Sequence, residues 1–107
     1  MGYEYEFKRE GKAELARAMS EARSFATALL GSAQTQSGIE SYPLTPSEPG
    51  AYPGLLQFVP SHILLSVGSR RELGSPLVAR LLAEFARLGL EPYEEGDPTP
   101  TDYASIG

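Results

Sequence analysis

The stretch "SHILLSVGSRRELGSPLVARLLAEFARLGLEPYEE", residues 61 to 95, decides the fold, because it reads as strand, turn, helix and strand in succession. His62 to Val67 is apolar at nearly every position, the pattern of a strand flanked on both sides. Beyond the glycine at 68, the residues Leu77, Val78, Leu81, Leu82, Phe85 and Leu88 recur at helical spacing. Arg80, Glu84 and Arg87 fall outside that stripe. Ser75 suits the N-cap and Pro76 the first helical position. Gly89 then supplies a helix-terminating residue over which Leu90 can fold back. "LEPYEE" follows as a last strand, and Pro92, which lacks a donor, places it at a sheet edge.

Working outward, "YEYEFK" (Tyr3 to Lys8) alternates strictly. Tyr3, Tyr5 and Phe7 face one way and Glu4, Glu6 and Lys8 the other, as in a half-buried strand. Residues 12 to 30 follow as a helix with Leu15, Met19, Ala22, Ala26 and Leu29 on one stripe, Phe25 beside it, and Gly31 as its stop. Residues 32 to 54 form a long connection carrying Pro43, Pro46, Pro49 and Pro53, in which "GIESYPL" is the one short strand that fits. In "LLQFVPSHILLSV", Pro60 divides a strand at 55 to 59 from one at 61 to 67. The last segment, 97 to 107, has little to bury and reads as a loosely held tail.

This order predicts a single α+β domain over residues 1 to 107: two helices on one face of a mainly antiparallel sheet of four to five strands. The arrangement expected is a ferredoxin-like βαββαβ sandwich. At 107 residues the chain holds one core, and its 41% apolar and 21% charged residues are globular values. The sequence has no cysteine, which removes disulfides, thiolate nucleophiles and cysteine-ligated metals. No apolar run approaches membrane-spanning length, and a cytoplasmic location is the simplest expectation.

Catalytic constellations are hard to assemble from this sequence. The single histidine, His62, opens an apolar strand, and no serine stands in a nucleophile-elbow context. Neither a transition-metal site nor a cofactor site is expected. Glu94 and Glu95, adjacent on a strand, point to opposite faces and do not share a proton. No catalytic residue is assigned.

Charge is more informative. Fourteen acidic residues against nine basic ones give a net charge of −5, which argues against nucleic acid as a partner and favours a basic protein. After Arg87 no base occurs, while Glu91, Glu94, Glu95, Asp97 and Asp102 do, interleaved with Tyr93 and Tyr103. Acids supply steering and tyrosines supply buried area, so this segment is the expected docking surface. The expected contacts are Tyr93, Glu94, Glu95, Asp97 and Tyr103, extended by Glu4 and Glu6 of the first strand. The reading is a small non-catalytic binding protein of the immunity or inhibitor type.

A second reading comes from the bases. If the first and third strands are adjacent and parallel, "KREGK" and "GSRRELGS" emerge side by side. Lys8, Arg9, Lys12, Arg70 and Arg71 then converge on two helix N-termini, with Ser75 at the mouth of one. That would suit a sensor or enzyme for a small phosphate, nucleotide or carboxylate ligand. A third option is a homo-oligomer that pairs open sheet faces.

Overall fold

The computed structural model describes residues 3–45, 50 and 53–106. Its elements are β1 (Tyr3–Lys8), α1 (Lys12–Leu30), β2 (Gln34–Gln36), β3 (Ile39–Leu44), β4 (Gly54–Val59), β5 (His62–Val67), the single-turn α2 (Arg70–Leu73), α3 (Pro76–Arg87) and β6 (Glu91–Glu94). All six strands join one antiparallel sheet in the order β2-β3-β4-β5-β1-β6.

This order corrects the expected strand count. The sheet has six strands, not four or five, and β1 lies between β5 and β6, antiparallel to both. The additional strands come from the connection after α1. The Pro-rich region supplies two strands, β2 and β3, and with β4 and β5 they form a continuous meander. β1 then closes against the last strand of that meander. The β2–β3 reversal is a two-residue turn in which Ser37 and Gly38 both have positive φ, at 54° and 79°. Such a turn matches the twist of the strands it joins. In that geometry the backbone groups of Ile39, Ser41 and Pro43 point toward β2. Since β2 pairs no further than Ser41, the missing donor of Pro43 costs no ladder bond. Pro46 and Pro49 lie outside the described residues.

The helix that follows Gly74 matches its sequence signals closely. Ser75 Oγ accepts the Val78 N–H at 3.3 Å, and Pro76 takes the first turn. At the other end Gly89 adopts φ 77°, Leu90 N–H bonds Phe85 O and Gly89 N–H bonds Ala86 O, both at 3.1 Å. That pair of bonds is a Schellman stop, and it turns Leu90 into the core.

The core occupies the space between the helices and one sheet face. Tyr5, Phe7, Tyr42, Leu56, Phe58, Ile63 and Leu65 project from the strands to meet Ala18, Met19, Ala22 and Ala26 of α1 and Val78, Leu81 and Phe85 of α3. Phe7 and Phe85 bring their rings to 4.9 Å, and Tyr42 meets Phe58 edge-on at 5.7 Å. The alanines on α1 let that helix approach the sheet closely. Thr27 Oγ1 and the Tyr42 hydroxyl lie 2.8 Å apart in a hydrogen bond that fixes α1 over β3.

Two further expectations change. β5 is not flanked on both sides: Ile63, Leu65 and Val67 are buried, while His62, Leu64 and Ser66 are half-buried on the uncovered face. The C-terminal segment is docked over its described residues. Thr101 N–H bonds Pro92 O at 2.7 Å, Asp102 caps a 3-10 turn through the Ala104 N–H, and Ile106 sits in the core at 1% exposure. The segment therefore covers the outer edge of β6, where Pro92 has no donor to offer. No helix among the described residues is long and apolar enough to cross a membrane.

Candidate docking face

Because the helices cover one side of the sheet, alternation along each strand leaves a second set of side chains on the other side. β4 contributes Leu55, Gln57 and Val59, and β5 contributes His62, Leu64 and Ser66, all half-buried. β1 contributes Glu4, Glu6 and Lys8, and β6 adds Glu91 and Tyr93. Register fixes their neighbours: Glu6 stands between Leu64 and Tyr93, and Glu4 stands opposite Ser66, which in turn faces Leu55. The uncovered face thus runs from apolar and neutral side chains on β4 and β5 to acids at the β1–β6 edge.

The acidic edge has a definite internal arrangement. Lys8 Nζ lies 3.1 Å from Glu6 Oε1 and 5.0 Å from the centroid of the Tyr93 ring, so one ammonium is held between a carboxylate and an aromatic face. Glu4 accepts a hydrogen bond from Ser66 Oγ at 3.3 Å. Glu95, just beyond β6, lies near Glu4, to which its carboxyl can hydrogen-bond only when protonated. That bond, followed by the Glu4 charge, raises the Glu95 carboxyl above the usual carboxylate range. Among the described residues neither Glu4 nor Glu95 forms an ion pair with a base.

Of the residues the sequence singled out for docking, Tyr93, Glu95, Glu4 and Glu6 are thereby brought together. Glu94 is not with them. It stands on the helix side of β6, opposite Tyr5, whose phenol is raised by burial first and by the Glu94 charge second. Asp97 sits in the following turn, where its Oδ1 accepts the Thr99 N–H at 2.9 Å. Tyr103 turns inward: its hydroxyl donates to Leu90 O at 2.6 Å, and its ring stacks 6.3 Å from Phe7. Burial, reinforced by Glu91, pushes that phenol well above its ordinary value.

The bases predicted to form an anion site do not converge. β1 and β5 are antiparallel, with Tyr3 opposite Val67 and Phe7 opposite Ile63. The loop holding Lys8, Arg9 and Lys12 therefore leaves one end of the sheet, and Arg70 and Arg71 leave the other. The separation is roughly the length of a strand, ~17–20 Å. Arg9 has a structural task instead, donating from Nη1 to Leu88 O at 2.8 Å at the C-terminal end of α3. Ser75 is buried and engaged as a cap.

His62 has Ser61 Oγ 2.9 Å from Nδ1, in an exposed two-residue turn. No group of three or more potential metal ligands occurs among the described residues. A shallow cleft of about 260 Å³ lies at the opposite edge from the acids, lined by Ala16, Met19, Arg23, Phe58 and Pro60. There Arg23 lies over the Phe58 ring at 5.4 Å, and its Nε approaches Glu40 Oε1 at 2.5 Å as an ion pair, without an aligned N–H hydrogen bond.

The sequence reading missed Leu55, Val59 and Leu64 as surface residues. The available signal was the odd–even position of these residues relative to Phe58 and Ile63. An all-apolar run conceals it. Comparison of the chain with protein-family models, curated proteins and solved structures returned no match in any of the three.

Proposed function

We propose that this chain is a small, acidic, non-catalytic binding protein that neutralises or regulates a basic protein partner, in the manner of an immunity or inhibitor protein. The observation that supports it is the acidic edge of the uncovered sheet face. Glu4, Glu6 and Glu95 stand together beside Tyr93, and Lys8 is the single base from β1 among them. Like charges held this close repel one another in the free protein. A lysine or arginine from a partner relieves that repulsion on docking, so complex formation carries an electrostatic gain that the free chain lacks. Tyr93 contributes aromatic area at the same spot. The net charge of −5 extends the attraction beyond contact distance and steers encounter.

The test is kinetic. Proteins retained from a native lysate by the immobilised chain are identified, and their association rates are measured between about 50 and about 300 mM salt. A basic partner whose association slows steeply with salt, and slows further when Glu4, Glu6 and Glu95 are replaced by glutamine, meets the expectation. Retained proteins that associate at rates indifferent to salt and to those substitutions refute it.

A further inference from the structure

We infer that the docking surface is the whole uncovered face of β4, β5 and β1, and that its occupant is a basic amphipathic segment that sets apolar side chains on Leu55 and Leu64 while its lysines or arginines reach Glu4 and Glu6. This rests on the basic-partner reading above and adds where and how that partner sits. In an antiparallel sheet with one solvated face, the outward residues are normally polar. Here β4 turns Leu55 and Val59 outward and β5 turns Leu64 outward, half-buried yet uncovered by any helix among the described residues.

Register puts that apolar group beside the acids. Leu64 is the direct cross-strand neighbour of Glu6, and Ser66 is all that separates Leu55 from Glu4 along its row. Apolar and acidic groups therefore alternate at one to two strand spacings, ~5–10 Å. A helix carrying a leucine and a lysine three or four residues apart presents the complementary pattern at ~5–6 Å. Three strands of this length make a face on the order of 10–15 by 20 Å, or ~200–300 Å². That is the size of a hot-spot centre within a standard interface of roughly 800 Å² per partner. A second copy of this chain is a poor occupant, since its own acids would meet Glu4, Glu6, Glu91 and Glu95. Nucleic acid is disfavoured for the same reason.

The experiment uses the full chain, isotopically labelled, titrated with a helical peptide of about four turns carrying leucine and lysine on one face. One control peptide has its lysines replaced by glutamate and another has its leucines replaced by serine. Amide shifts clustered at Glu4, Glu6, Leu55, Leu64 and Tyr93 are expected. Affinity should fall about tenfold for Leu55→Thr with Leu64→Thr, and comparably for Glu4→Gln with Glu6→Gln. Far-UV circular dichroism checks that each pair still folds, and the single variant Leu64→Thr serves if the double does not. Shifts confined to α1 and α3, full affinity in the threonine variants, or no shift at millimolar peptide would overturn the docking face. Equal binding of the glutamate peptide at the same residues would sink the basic-partner reading instead, leaving the face in place.

Discussion

Replacing Tyr103 by phenylalanine separates a structural tyrosine from a binding one. The hydroxyl donates to Leu90 O at 2.6 Å, and Leu90 is the residue that the α3 stop turns into the core. The Tyr103→Phe variant keeps the ring on Phe7 and deletes the donor alone. A carbonyl deprived of its partner in a half-buried site costs about 1–2 kcal/mol. For a chain of this length that lowers Tm by roughly 4–8 °C.

The same residue predicts a pH signature. Burial holds the folded-state phenol above its ordinary value, with the Glu91 charge adding to it. In the unfolded chain the phenol ionises near ~10. The folded state therefore retains this proton while the unfolded state releases it, so this contribution to stability is full below ~10 and declines as pH rises beyond. The variant has no phenol to titrate. Urea unfolding at neutral pH and again above pH ~10 should show a gap between parent and variant that narrows as pH rises. A gap below about 0.3 kcal/mol at neutral pH, or one that stays constant through the alkaline range, would refute the inward role assigned to Tyr103.

Other substitutions test the remaining assignments. Arg9→Ala removes the guanidinium that caps the end of α3, and urea unfolding should show a loss of about 1 kcal/mol, with phosphate giving no ligand-dependent stabilisation in the parent chain. Ile106→Ala should cost about 2–4 kcal/mol by the same assay, because that side chain is packed into the core from the C-terminal segment; a loss under about 0.5 kcal/mol would mean the segment does not dock. Glu95→Gln should stabilise the protein at neutral pH, since it removes one of two adjacent charges. The Glu95 carboxyl is raised in the folded state, so repulsion is absent at acid pH and sets in as pH climbs through the folded value; the advantage of the variant should vanish on acidification, as thermal melts across pH can show.

Much of the local structure was legible in residue order. Strict alternation from Tyr3 to Lys8 gives β1 its two faces, and Ser75-Pro76 with Gly89-Leu90 bounds α3 at both ends through a side-chain cap and local backbone hydrogen bonds. These features depend on neighbours within one or two turns, so the sequence by itself determined them. It also determined the acidity and the coincidence of acids with tyrosines in the last third of the chain.

Which strands meet was decided only by tertiary structure. A strand pairs with whatever edge the compact chain presents, and the β2–β3 hairpin from the Pro-rich connection extends the meander on the side away from β1. What placed the bases was the antiparallel pairing of β1 with β5. It sent Lys8 and Arg70 to opposite ends and dissolved the anion site. It also set Glu4 and Glu6 beside Leu64 and Tyr93. Leu64 and Leu65 look alike in sequence because both are apolar. Their different fates follow from a pleat that sends neighbours to opposite faces and from helices that cover only one of them.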